Sequence, residues 1–213
     1  MGPIGYDMKH INIKLKDKKD FQNNGHFSIS NFFQSETLEL LTNYYWYKLH
    51  TKNLHNNNSE FNHFGEGTSP YHRWIYGDLF NDLLLNYIKP VFNKITDKTL
   101  APTYTMLRFY ETGDSLKTHL DRPSCQYSAT ICIGSNIPVS DFWHLYIDET
   151  PISTPINKII FYRGTELQHY RKKLPFDGWV MQLLLHFVDI HDKNFNEHIY
   201  DKREKPYFGM PRK

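Results

Sequence analysis

His119 and Asp121, two residues apart in KTHLDRPSCQYSATICI, supply a nitrogen and an oxygen ligand that could converge on one point. On an extended backbone, residues i and i+2 point to the same face, so the imidazole and carboxylate would lie side by side as half of a metal site. The pair alone is a weak signal, because about one His-x-Asp is expected by chance in a chain of this length and composition. A third ligand strengthens it. His169, in FYRGTELQHYRKKLPFDGW, follows a strand predicted to end near Arg163, from which a turn could return it to the same place. Two His and one Asp on adjoining strands would form a facial triad, leaving three positions of an octahedral ion open to exogenous molecules. A structural zinc site would close its sphere with four protein ligands, commonly including Cys, and no such set occurs here.

Helices come first in the chain and strands later. Ser35 is a candidate cap for a helix over 35–50 with Leu38, Leu41 and Tyr45 on one stripe. A second helix is predicted over 77–96 with Leu79, Leu83, Tyr87 and Val91 aligned, broken or kinked at Pro90. His10 to Leu15 reads as an edge strand, and 56–70 as a long loop of the kind that forms lids. From Pro102 onward, TYTMLRFY, QYSATICIG, FWHLYID, NKIIFYRG and WVMQLLLHFVD are short β-branched and aromatic runs between turns, spaced as in a β-sandwich or barrel. This gives an α+β, mainly β class: one domain over 1–213, with supporting helices and loops in 1–100, a β core in 101–190 and a solvated basic tail in 191–213. His119 and Asp121 fall at the start of a strand.

The 213 residues, 39% hydrophobic and 16% aromatic, suffice for a substantial core. A formal charge of +2 gives no nucleic-acid or membrane-surface signal. No run approaches a signal peptide or a membrane span, and the two cysteines, Cys125 and Cys132, have a spacing that argues against their pairing. A cytoplasmic, reducing setting is the expectation.

LRFYETGDSLKTHLDRPSC and GTELQHYRKKLPFDGWVMQLLLHFVD together resemble the iron(II)- and 2-oxoglutarate-dependent oxygenases of the prolyl 4-hydroxylase-like branch. There a Tyr precedes a Gly-containing turn and His-x-Asp, and a distal His precedes the last core strand. ISNFFQSETLELL is similar to the helical entry of that branch, so the resemblance covers roughly residues 27–190. It implies a double-stranded β-helix (jelly roll) with N-terminal supporting helices, in which His119, Asp121 and His169 hold iron(II) and 2-oxoglutarate chelates the ion. It also implies dioxygen as the oxidant, ascorbate as a supporting reductant, and hydroxylation of an unactivated C–H with release of succinate and CO2. Related halogenases lack the carboxylate, so Asp121 implies hydroxylation. The substrate could be a peptidyl residue such as proline or a small molecule; the oligomeric state is open.

Many members of the branch carry an Arg or Lys nine or ten residues after the distal His to pair with the far carboxylate of 2-oxoglutarate. Here those positions are Gly178 and Trp179. Of seven arginines, Arg108, Arg122, Arg163 and Arg171 lie in the β half. Arg108 shares a strand face with Tyr110, and Arg171 lies two residues after His169 on the same side. Arg108 or Arg171 is therefore the expected partner of 2-oxoglutarate, Tyr110 and Gln182 are expected pocket residues, and Arg122 is expected to meet substrate or co-substrate. His186 alternates onto the face of Gln182. Two other classes fit the same residues: a cupin-type metal hydrolase or isomerase that needs no 2-oxoglutarate, and a catalytically silent β-sandwich that binds a partner.

Overall fold

The structure, a computed structural model, describes residues 11–50, 73–137 and 143–202. In chain order these form α1 (Leu15–Asn24), β1 (His26–Ile29), α2 (Ser35–His50), β2 (Arg73–Tyr76), α3 (Leu79–Thr96), β3 (Leu100–Glu111), β4 (Leu116–His119), β5 (Tyr127–Ser135), β6 (Leu145–Ile147), β7 (Thr150–Ile152), β8 (Ile159–Arg163), β9 (His169–Arg171), β10 (Trp179–Asp189) and α4 (Phe195–His198). They build a six-stranded sheet in the order β1-β8-β5-β10-β3-β2 and a four-stranded sheet in the order β4-β9-β6-β7. All strand pairings within these sheets are antiparallel, and side chains of both sheets line one cavity, as in a jelly roll.

Side-chain alternation divides the six-stranded sheet into two functional faces. On β3, Leu107 and Phe109 join the main apolar core with Ile88 and Phe92 of α3, whereas Tyr104, Met106, Arg108 and Tyr110 face the cavity. Both faces are covered, which is why β3 is buried along eleven of its twelve residues. Phe92 is the hub of the core. Its ring meets Phe21 of α1, Phe161 of β8 and Phe187 of β10 at centroid distances of 6.1, 4.8 and 5.5 Å.

Helix α3 runs continuously through Pro90, so of the expected break or kink the break does not occur. Pro90 is exposed, while Leu84, Leu85, Ile88, Val91, Phe92 and Ile95 are buried. An interior proline costs about 3 kcal/mol, but each buried apolar side chain contributes about 1.5–3 kcal/mol, so the packed stripe holds the helix together. Asp78 caps its start, accepting from the backbone N–H groups of Phe80 and Asn81. The buried stripe is rotated from the expected one, since Leu83 and Tyr87 are only partly covered.

The expected edge strand over His10 to Leu15 is absent from its described part: residues 11–14 are irregular and α1 begins at Leu15. Asp17 accepts from the Lys14 N–H at 2.7 Å, Phe21 anchors the helix in the core, and Gly25 ends it at φ 70°. The edge strand is β1 instead. Residues 191–202 also differ from the expected solvated tail, for they fold back and bury Tyr200. The predicted 56–70 loop lies outside the described residues.

Candidate metal centre

β4 and β9 are register partners, with Leu116 opposite Arg171 and His119 opposite His169. Three steps on β4 therefore match two on β9, a bulge that brings both Leu116 and His119 to the cavity although their spacing is odd. The pair consequently sits at the end of a strand and not at its start, with Asp121 two residues beyond. Each imidazole is oriented by backbone. His119 Nδ1 lies 2.8 Å from the Lys117 carbonyl and His169 Nδ1 lies 3.0 Å from the Leu167 carbonyl. A carbonyl can only accept, so Nδ1 carries the proton in both rings and Nε2 presents its lone pair inward. His119 Nε2 and His169 Nε2 lie 3.7 and 3.5 Å from the same oxygen, Asp121 Oδ1. A metal with bonds of about 2.1 Å at right angles separates its ligand atoms by about 3 Å, so small movements close this set on an ion.

The second carboxylate oxygen is turned away and held. Asp121 Oδ2 accepts from Ser128 Oγ at 2.8 Å, and Ser128 Oγ accepts in turn from His186 Nδ1 at 2.9 Å. Gly164 completes the frame: its carbonyl accepts from the Asp121 N–H at 2.8 Å, and a Cβ there would stand 2.2 Å from Oδ2. Asp121 thus offers one oxygen, which leaves three open positions rather than two. Burial works against its charge, yet His119 and His169, when Nε2 also carries a proton and they donate to it as imidazolium ions, hold its carboxyl well below the usual range. Burial pushes His186 down to about 4, so it stands neutral with its ring 4.5 Å from that of Tyr104.

From the triad a cavity of about 290 Å³ extends between the sheets. Arg171, 2% exposed, lies on its wall. Its Nη1 donates to the Trp143 carbonyl at 2.8 Å and to Thr154 Oγ1 at 3.1 Å, and its guanidinium lies 4.8 Å from the Trp143 ring. Its Nη2 is buried with no hydrogen-bond partner among the described residues. Burial lowers the pKa of this side chain. Arg108 and Tyr110 line the same wall, and Gln182, the register partner of Arg108, is fixed by a 2.7 Å hydrogen bond with Thr130 Oγ1. Arg122 stands at the mouth, half exposed, over the ring of Tyr104.

No protein-family model and no curated protein matches the chain in sequence. Solved structures do match. A prolyl-4-hydroxylase from Pseudomonas putida superposes with a TM-score of 0.59 at 12% identity, over 80% of this chain and 97% of that one. The carbocyclase SnoK of nogalamycin biosynthesis, described as non-heme and α-ketoglutarate dependent, gives 0.67 at 11% identity over 92% and 94%. HygX from Streptomyces hygroscopicus, with nickel and 2-oxoglutarate bound, gives 0.60 at 12% identity over 84% and 89%. The chain has the jelly-roll fold of the 2-oxoglutarate oxygenases.

The eight candidate site residues read from the sequence, His119, Asp121, His169, Arg108, Tyr110, Arg122, Arg171 and Gln182, all line the cavity between the sheets, as does His186. Arg163, in contrast, bonds Glu166 and the Gln22 carbonyl away from it. Sequence reasoning missed Ser128, Gly164 and Tyr104. Tyr104 had a signal, since it alternates with Arg108 and Tyr110 on β3. Gly164 had none, because its role is to leave room for a residue more than forty positions earlier.

Proposed function

We propose that the protein is an iron(II)- and 2-oxoglutarate-dependent dioxygenase that hydroxylates an unactivated C–H of a peptidyl residue, proline among the candidates, or of a small molecule. What carries the reading is the pairing of a one-oxygen His/Asp/His face with a buried guanidinium in the same cavity. A lone buried cation is unfavourable by several kcal/mol, and an incoming carboxylate relieves it. The triad would hold iron(II), and Arg171 Nη2 would bind the far carboxylate of 2-oxoglutarate. The cationic partner would then sit two residues after the distal His, on its own strand, where many oxygenases use the following strand. Arg108, Tyr110 and Gln182 would complete the co-substrate wall.

Bound iron(II) and 2-oxoglutarate supply the oxidising chemistry: dioxygen decarboxylates the co-substrate to succinate and converts a substrate C–H to C–OH. The chain's own residues do the rest. Ser128 and Gly164 keep Asp121 to one oxygen, the Lys117 and Leu167 carbonyls aim both imidazoles, and the two sheets wall the pocket. We read residues 1–213 as one oxygenase domain with 101–190 as its core. No helix among the described residues is long and apolar enough to cross a membrane.

The test is succinate formation from 2-oxoglutarate under air with iron(II) and ascorbate. Wild type should form succinate and His169→Ala should fall to background. Arg171→Gln should weaken 2-oxoglutarate binding by about 2–3 kcal/mol, roughly 30–150-fold in Kd. Metal binding by the intact triad with no affinity for 2-oxoglutarate would transfer the assignment to the cupin-type hydrolase or isomerase.

A further inference from the structure

Next to the metal ligands, at the mouth of the cavity, four side chains form a cluster that the proposed co-substrate does not use. Arg122 directly follows Asp121, so its backbone is fixed by the metal site. Its guanidinium lies over the Tyr104 ring at 4.5 Å, and its Nη2 donates to Asp201 Oδ2 at 2.7 Å. The Tyr76 hydroxyl donates to that same oxygen. Tyr76 and Tyr104 pack with ring centroids 4.9 Å apart, and the Tyr104 hydroxyl meets Cys125 Sγ at 3.2 Å. Two donors thus converge on one carboxylate oxygen above an aromatic floor. That floor is itself braced by His186 on the rim of the metal centre.

Asp201 reaches this cradle on an unfavourable backbone. It lies in a short turn, Ile199–Lys202, in which Tyr200 and Asp201 both adopt left-handed conformations, at φ 52° and 51°. Non-glycine residues avoid that region because Cβ crowds the following carbonyl, and two in succession are uncommon. Strained segments of this kind persist where the surroundings hold them, and they cluster at switch regions and ligand clamps. The Arg122 side chain is 51% exposed, so a competing anion can approach it from water.

We propose that Arg122, Tyr76 and Tyr104 form an anchoring subsite for a carboxylate group of the substrate, and that Asp201 is its displaceable internal occupant. An incoming carboxylate replaces the Asp201 carboxylate one for one, so no charge is left unpaired at Arg122, and the strained turn is released. Two donors on one oxygen and a flat floor suit a planar carboxylate; a phosphate dianion calls for more donors than the cradle supplies. The subsite lies beside Asp121, so an anchored substrate would hold a neighbouring carbon over the open metal positions. The inference rests on the oxygenase reading for the meaning of that placement, but its binding step does not require the metal.

The experiment therefore uses the metal-free, full-length chain, titrated with 3-phenylpropanoate and with its neutral analogue 3-phenylpropanamide by ligand-observed NMR. An internal occupant lowers apparent affinity by the fraction of time it fills the site, so Asp201→Asn should tighten 3-phenylpropanoate binding by about tenfold. The amide should be unaffected, and in an Arg122→Gln background Asp201→Asn should no longer tighten carboxylate binding. In wild type, saturating 3-phenylpropanoate should speed amide hydrogen exchange across 199–202, a readout that stands even if Asp201→Asn does not fold. The proposal is overturned if Asp201→Asn leaves carboxylate affinity unchanged, if the amide gains equally, if the gain from Asp201→Asn survives Arg122→Gln, or if exchange of the turn does not respond. Failure of 2-oxoglutarate to bind metal-loaded protein would remove the oxygenase reading and leave these outcomes intact.

Discussion

At the scale of single residues, the site is defined as much by what holds the ligands as by the ligands themselves. Asp121 would bind a metal through one oxygen because Ser128 occupies the other and Gly164 leaves it room. Ser128→Ala should keep the fold and weaken metal affinity by about 10–100-fold, as loss of a ligand's hydrogen-bonding partner does elsewhere. Calorimetric titration with a divalent ion would check it, and an unchanged Kd would remove Ser128 from the site. Gly164→Ala should be harsher. Its Cβ would stand 2.2 Å from Asp121 Oδ2 and 2.5 Å from the Cys125 carbonyl, neither of which is a flexible chain end. A loss of at least about 2 kcal/mol in denaturant unfolding is expected, together with loss of metal binding. The cluster of His119, Asp121 and His169 was legible in the sequence because residue types that can ligate a metal are few and sit here in recognisable spacing. Their supports were not, since serine and glycine are common and their work depends on partners distant in the chain.

Among the elements, long ones were readable and short ones were not. α2 and the four β runs that became β3, β5, β8 and β10 carry enough residues for periodicity to emerge, while the fifth, FWHLYID, holds only the three-residue β6. The four-stranded sheet that supplies the histidines is made of strands of three and four residues, below the length at which alternation can be told from chance. α3 shows the opposite failure, where a strong local rule about proline yielded to the burial of one face. The helix should therefore carry an avoidable penalty at position 90. Pro90→Ala, on the exposed face, should raise stability by about 1–2 kcal/mol, once the restored hydrogen bond and helix propensity are set against the freer unfolded chain. Thermal unfolding would show it, and a destabilised variant would mean that Pro90 makes a favourable contact.

On the scale of the whole molecule, the two sheets divide the labour: the larger one anchors the core and the smaller one carries the imidazoles. The cavity between them buries a neutral histidine, and this has a measurable effect. His186 takes up a proton near its ordinary value of 6.5 when unfolded but only near about 4 in the fold. Between those pH values the unfolded chain binds more protons, so stability of the metal-free protein should decline as pH falls from 6.5 to 4, by up to about 3 kcal/mol. Asp121 acts in a lower range. Its depressed carboxyl contributes stability that is present above the ordinary carboxylate value and is lost only as pH drops through the folded one. Denaturant midpoints across the window, with His186→Asn as a flattened control, would test this; parallel profiles would assign the loss to other groups. The bulge in β4 has a consequence of its own. Removing one residue between Leu116 and His119 would give a regular strand with a better ladder to β9, and would leave His119 two steps from Leu116 on the cavity face, still opposite His169. A regular β4 of unchanged length would instead put His119, three residues on from Leu116, on the outer face, so it is the bulge that keeps this imidazole in the site, and changes that straighten it without a deletion would give folded proteins without a site.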